Sequence, residues 1–453
     1  MNMAPLLVVA MALNGAGTPA TTEIPAFARR YRTSCSTCHT AAPKLNVMGE
    51  AFRLNGYRFP ENDQLLRKEP SVPLGEDPWK DLWPRAIWPG ELPGSAPIAI
   101  RLQTDVTVRR DSSTTAVDFR FPNEVYVLAG AALGDHVSTF IESEWSREEG
   151  FEVVQAKVAV QDPIPWLPRR LLNAWVGLQR LYAFAFAETE IDRAAYQPFE
   201  WQRVRISDLV LETSAGPVQS GNAFAVDHPQ PTIELNGLVR GRLSYAMGIG
   251  QGAGEAAEDN DRHKDLYWRL RYKVGGLALD GTYAPGQGPV LGSGGQLLDR
   301  SFTIEHFGYV GEEPTANGAR DAHRHFGVSA RALLGRLDAG VGYVWGTHAD
   351  PWGLGTGELR RRSGFGKAEY LVFPWLIGSL KAERFTLEPA PGAIPAGYVF
   401  DPIALTRVLP GVIALVRQNV RVVAEAELFP DYSAAASGQA HPRRLWARLD
   451  VAF

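Results

Sequence analysis

From Ile98 to the last residue the dominant period of the chain is two. In IAIRLQTDVTV, Ile98, Ile100, Leu102, Val106 and Val108 fall on one face, and Arg101, Gln103, Asp105 and Thr107 on the other. LYWRLRYKV sets Leu266, Trp268, Leu270, Tyr272 and Val274 against Tyr267, Arg269, Arg271 and Lys273. VRVVAEAELF sets Val422, Ala424, Ala426 and Leu428 against Arg421, Glu425 and Glu427. Successive strand side chains point to opposite faces, so each run predicts a β-strand with one apolar and one polar face.

Turn chemistry then orders the strands. Gly275-Gly276, between Val274 and Leu277, and Gly335-Arg336, between Leu334 and Leu337, have the two-residue length favoured in hairpins. GQGAGEAAEDNDRHKD and WGTHADPWGLGTGELRRRS read as long polar loops. Short turns on one side and long loops on the other is the asymmetry of outer-membrane barrels. SFTIEHFGYVG looks like a strand, but pairing it in sequence would move the 335–336 turn to the loop side, so it is a candidate extracellular excursion. The expected fold is mainly β: a transmembrane antiparallel barrel of about 16 strands, within 14 to 18, preceded by a small α-helical segment.

A soluble β-sandwich alternates in the same way. Against it, the period persists for about 350 residues, roughly twice what one sandwich needs. The polar faces also carry charge in strand after strand, as a wet lumen requires. The chain ends in LWARLDVAF, where Leu445, Ala447, Leu449, Val451 and Phe453 alternate with Trp446, Arg448, Asp450 and Ala452. That ending resembles the C-terminal strand that outer-membrane barrels present to their assembly machinery.

The 453 residues carry a net charge of -4, with 45% hydrophobic and 21% charged residues, so there is no basic field for nucleic acid. No run of about 18 apolar residues occurs, which excludes membrane-spanning helices but not spanning strands. MNMAPLLVVAMALNGAGTPATTE suits a secretory signal, residues 1–20, cut near Ala20, although no Lys or Arg precedes its apolar stretch; a frayed soluble terminus is the plainer alternative. A compact block, 21–69, is rich in Arg29, Arg30, Arg32, Arg53 and Arg58. A Pro- and Trp-rich connector, 70–97, leads to the barrel, 98–453.

The only two cysteines lie in SCSTCHT, as Cys35 and Cys38, with His39 next. A CxxCH run suits c-type haem attachment: two thiols span one porphyrin edge, and the following imidazole swings beneath the iron as proximal ligand. A structural zinc site needs four ligands, and there is no second cysteine pair. A redox CxxC expects a thioredoxin-like βαβ setting, which is not visible. The cofactor expected is one covalently bound haem c. Met48 is a candidate sixth ligand or a packing residue, with water or a barrel histidine as alternatives. The five arginines are candidate partners for the propionates. His323 and His325, and the acidic loop with Glu255, Glu258, Asp259 and Asp261, are candidates for cation capture, with solvated surface the preferred reading.

The stretch IPAFARRYRTSCSTCHTAAPKLNVMGEAFRLNGYRF resembles the haem segment of the fused outer-membrane cytochrome-porins, which include iron(II)-oxidising cytochromes. The likeness is close over 24–59 and architectural beyond it. It implies that Cys35 and Cys38 attach the haem and that His39 is its axial ligand. The small segment would then plug the periplasmic or lumenal side of the barrel. Electrons would pass from an extracellular reductant, Fe(II) first among them, to a periplasmic carrier across the outer-membrane lipid. The alternative is a haem-plugged porin or redox-sensing channel without iron oxidation. No motif in the chain names iron.

Overall fold

The computed structural model describes residues 26–110, 115–147, 150–185, 189–190, 192–252, 262–430 and 443–453. The expected signal segment lies outside them. The wall begins with β1 (Ile98–Arg110), β2 (Thr115–Ala132), β3 (Val137–Ser146), β4 (Gly150–Gln161) and β5 (Asn173–Arg180). It continues with β6 (Pro229–Val239), β7 (Leu243–Gly250), β8 (Asp265–Gly275), β9 (Arg300–Pro314), β10 (Arg320–Leu334) and β11 (Leu337–His348). The last five are β12 (Leu359–Phe373), β13 (Leu376–Pro389), β14 (Ile403–Arg417), β15 (Val420–Glu427) and β16 (Arg443–Ala452).

Each strand pairs antiparallel with the next, and β16 returns to β1 through Leu445↔Val108 and Asp450↔Gln103, giving a closed barrel of 16 strands with no edge. The period of two decides which side chains face outward and which face the lumen. On β8, Leu270, Tyr272 and Val274 are exposed outward, while Tyr267, Arg271 and Lys273 are buried inward. At the β1–β16 seam the inward Arg448 donates to Asp105 at 2.7 and 2.9 Å, and Arg101 pairs with Asp450 at 3.1 Å.

Short turns at 133–136, 240–242, 335–336, 374–375 and 418–419 lie at the end where β1 starts. The longer connections 251–264, 349–358 and 390–402 lie at the other, loop-side end.

Two sequence expectations fail together. Gly275-Gly276 is not a hairpin: β8 ends there, and the chain returns to the wall only at Arg300, so SFTIEHFGYVG belongs to wall strand β9 rather than to an excursion. Both glycines have positive φ, 73° and 52°, and do turn the chain. The apolar triplet that follows, Leu277 to Leu279, is buried, and Leu277 packs against Val47 and Ala51 of the N-terminal block instead of starting a strand. The 335–336 turn stays a tight hairpin, with Leu334 paired to Leu337.

The N-terminal block is helical in outline: α1 (Ala26–Tyr31), a 3-10 turn at Cys35–Thr37, a small hairpin pairing His39–Ala41 with Lys44–Leu45, α2 (Val47–Leu54) and α3 (Asp63–Leu66). It sits within the turn-side half of the lumen. Phe27, Tyr31, Phe52, Tyr57 and Phe59 form an aromatic cluster that meets the wall at Phe140 of β3. Ala41 packs among inward Leu371, Ile377, Ile413 and Val423. The connector 70–97 holds only short pieces, including a pairing of Ser71–Pro73 with Glu91–Pro93, and Trp83 and Trp88 stay largely exposed.

From the other end, the long β5–β6 connection folds inward and carries α4 (Phe199–Arg203). Its Phe184, Tyr196, Trp201 and Phe224 pack on inward Phe307, Phe365 and Phe385.

Because Val412 of β14 faces outward near the middle of its strand, Val412→Arg should cost about 2–4 kcal/mol of folding free energy in lipid vesicles. Urea unfolding followed by tryptophan fluorescence measures it, and an unchanged midpoint would contradict a lipid-facing wall.

Candidate functional site

The CxxCH turn is held by the helix that follows it. Cys38 N–H donates to the Cys35 carbonyl at 3.1 Å, closing the turn. Asn46 caps α2: its Oδ1 accepts from Met48 N at 2.9 Å and Gly49 N at 3.0 Å. Its Nδ2 reaches back to the Ser36 and Thr37 carbonyls at 2.9 and 3.2 Å. One side chain thus fastens the cysteine turn to α2. Gly49 allows the contact, since a Cβ there would stand 2.1 Å from the Cys38 carbonyl oxygen.

His39 Nδ1 lies 3.0 Å from the Pro43 carbonyl, which makes Nδ1 the N–H donor and Nε2 the lone-pair nitrogen of the neutral ring. Burial lowers the His39 pKa, keeping the ring neutral. The thiols of Cys35 and Cys38 are half-buried and not joined to each other. Burial raises both, Cys38 up to about 12, the opposite of what a reactive redox thiolate requires. Two adjacent thiols and an imidazole of fixed tautomer are a donor set that fits covalent haem with one axial histidine.

Met48 packs at the edge of the cluster of Val47, Ala51 and Leu277, beside Leu297 and Leu333. Four of the five arginines anchor the block to protein groups. Arg29 donates to the Ala96 carbonyl at 2.6 Å, Arg30 to that of Ala132 at 3.3 Å, and Arg58 to those of Gly134 and Val137 at 3.0 and 2.8 Å. Arg53 pairs with Glu50 at 3.3 Å, and Glu50 in turn with Arg271 of β8 at 3.2 Å. Arg32 is exposed.

The block and the inward-folded connection meet at one charge cluster. Lys44 Nζ lies 2.7 Å from Asp338 of β11 and 3.4 Å from Glu190 of the β5–β6 connection, and it also pairs with Glu369 of β12. Lys367 pairs with Glu190 and, at 2.7 Å, with Glu369; Arg331 donates to Asp338 at 2.7 Å. Three acids face three bases, so the buried set is neutral.

The largest correction concerns His323 and His325. Read as solvated surface, they are instead buried in the lumen near the loop-side end, beside His348. Ring centres stand 5.6 Å apart for His323–His325, 5.5 Å for His323–His348 and 5.1 Å for His325–His348. Strand register creates the trio: β10 and β11 pair His323 directly with His348. His325 lies over Gly346, where a Cβ would come 1.8 Å from its Nδ1. Among the described residues, both nitrogens of His323 and of His325, and Nε2 of His348, have no hydrogen-bond partner. Each such buried orphan costs about 1–3 kcal/mol. His348 was not singled out from sequence. The alternation of Asp321, His323 and His325 was a signal for a shared inward face; the third histidine needed the register. Glu255, Glu258, Asp259 and Asp261 lie outside the described residues.

The fold defines a closed 16-stranded antiparallel barrel whose lumen is occupied from both ends. No protein-family model matches the chain, and no curated protein matches it. Among solved structures, the trimer form of OmpT, an outer membrane protein of Vibrio cholerae, is similar at 11% identity and TM-score 0.49, covering 79% of this chain and 99% of that one. The anion-selective porin from Comamonas acidovorans is similar at 9% identity and TM-score 0.49, covering 79% and 98%. The outer membrane channel DcaP of Acinetobacter baumannii is similar at 8% identity and TM-score 0.48, covering 79% and 96%. These likenesses are distant, and the barrel rests on its own strand pairing.

Two predictions follow from the junction. Lys44→Met leaves three buried acids against two bases, and should weaken docking of the N-terminal block by about 3–5 kcal/mol, seen as faster tryptic cleavage within residues 26–66. For pH, burial alone would raise Glu190, but Lys367, Lys44 and Arg331 outweigh it and hold it well below its usual 4.5. Burial alone would lower Lys44, but Asp338, Glu190 and Glu369 outweigh it and raise it above its usual 10.5. A lowered acid contributes fully above 4.5 and fades as pH falls below it; a raised base contributes fully below 10.5 and fades above it. Planar-bilayer conductance should therefore stay low from pH 5 to pH 10, and openings throughout that window would contradict the junction's role.

Proposed function

We propose that this protein is an electron-transfer barrel of the bacterial outer membrane, carrying one covalent haem c on Cys35 and Cys38 with His39 as axial ligand. What carries the reading is the placement of an intact CxxCH turn inside a barrel lumen, with His39 Nδ1 engaged by Pro43. When bound, the haem supplies one-electron chemistry.

The chain's own residues do the rest. Asn46 and Gly49 hold the cysteine turn against α2; Lys44 and Glu190 fasten the block to the inward-folded connection. The aromatic packing of Phe184, Tyr196 and Trp201 narrows the passage for solutes. A hydrocarbon layer of about 30 Å insulates, so a single haem serves transfer across it only when held within the wall. By the resemblance, the extracellular donor is Fe(II), and the acceptor is a periplasmic carrier.

A second reading is a haem-plugged porin or redox-sensing channel, for which the closed 16-stranded wall speaks. The two separate by experiment. Purified full-length protein should retain haem through denaturation, and the Cys35→Ala, Cys38→Ala variant should lose it while still folding as a heat-modifiable barrel. Fe(II) should reduce the oxidised haem. Reduction by dithionite but not by Fe(II) would remove iron as donor, and solute flux through the intact barrel would favour the channel. Met48→Leu, which keeps packing volume, should leave the haem spectrum unchanged if Met48 only packs; loss of a low-spin spectrum would make Met48 the sixth ligand.

A further inference from the structure

We propose that His323, His325 and His348 form the imidazole set of a binding site for one divalent first-row transition-metal ion at the loop-side end of the lumen. Asp265 is its carboxylate ligand, and Asp321 orients His348. The site does not rest on the haem reading. Asp338, which contacts the N-terminal block, stands ten residues before His348 on β11, about 25 Å along the barrel axis for a tilted strand.

The spacing is that of a liganded set. Two imidazoles bound tetrahedrally at about 2.1 Å have ring centres about 5.3 Å apart, and the three observed separations are 5.1, 5.5 and 5.6 Å. His323 Nε2 lies 3.6 Å from Asp265 Oδ2, too far for a hydrogen bond.

The outer shell is built. His348 Nδ1 donates to Asp321 Oδ2 at 2.6 Å, which directs its Nε2 lone pair away from that carboxylate. Asp321 is fixed by Asn222 Nδ2 at 2.7 Å and the Asp350 N–H at 2.9 Å. A carboxylate–imidazole pair of this kind is the usual support for a metal-bound histidine. Phe224, stacked on His325 at 4.5 Å, roofs the trio with apolar surface.

As the rings stand, no three donors converge on one point among the described residues. Convergence needs rotation of His323 and His325 about χ2, a broad and soft torsion for histidine. An imidazole-rich set selects zinc, copper, iron or nickel over magnesium and calcium.

The test uses full-length, chelator-treated protein in detergent, titrated with Zn(II) by calorimetry. Co(II) absorption is recorded in the Cys35→Ala, Cys38→Ala chain, where no haem band interferes. The site predicts one Zn(II) per chain, with tetrahedral Co(II) bands that equimolar Zn(II) abolishes. His323→Ala and His348→Ala should each weaken binding at least tenfold, and Asp321→Asn by about 10–100-fold. His263→Ala, at the exposed loop-side mouth, should change nothing. Heat-modifiable migration checks folding of each variant. A folded wild-type barrel without stoichiometric binding, or binding unaltered in the folded His323 and His348 variants, would overturn the site. So would loss confined to His263→Ala. Haem absence with metal binding intact would count against the electron-transfer reading alone.

Discussion

A charge that the wall turns inward must find an opposite charge or, as buried Arg361 does with the carbonyls of Trp201 and Val204, backbone acceptors, because the lumen is filled by chain rather than by bulk water. A buried ion left unpaired costs several kcal/mol, so pairing constrains the interior more tightly than apolar packing does. Arg407, fully buried, lies 3.0 Å from Glu427 and 3.3 Å from Glu383. Asp450 takes both Arg101 and Arg421 at 3.1 Å. Lys273 meets Asp299 at 3.2 Å. The N-terminal block and the β5–β6 connection satisfy the same rule by contributing Lys44 and Glu190, one base and one acid, to a cluster that docking of either one alone would leave with a net charge.

That shared cluster ties the two fillings to one another. Removal of either leaves inward charge on β11 and β12 without a counter-charge, so the block is a structural part of the lumen rather than a passenger at its mouth. The same docking positions the CxxCH turn. Asn46 and Gly49 lock the turn to α2, Glu50 locks α2 to Arg271, and Arg58 locks the end of the block to the carbonyls of Gly134 and Val137. Arginines that suited propionates on sequence grounds are used in this docking.

The lumen also separates two kinds of chemistry. At the turn side, two thiols and an imidazole lie on one short stretch of chain. At the loop side, three imidazoles come from two strands and stand close only because β10 and β11 share a register. The first arrangement is local, and so is written in seven consecutive residues. The second is not: between His325 and His348 lie a hairpin and most of two strands.

The same distinction sets what was legible. Alternation alone determined that the wall is β and which residues share each of its two faces, because side-chain direction in a strand depends only on parity. The CxxCH motif is equally local in the chain. Tertiary structure decided the fate of Leu277 to Leu279, whose apolar pattern suits a strand but which the N-terminal block claims as packing surface, and with it the place of β9 in the wall. It also decided that His323 and His325 are interior and that His348 joins them. Sequence encodes a side chain's face through neighbours one and two positions away, whereas register, docking and burial depend on partners tens to hundreds of residues distant, which no local pattern names.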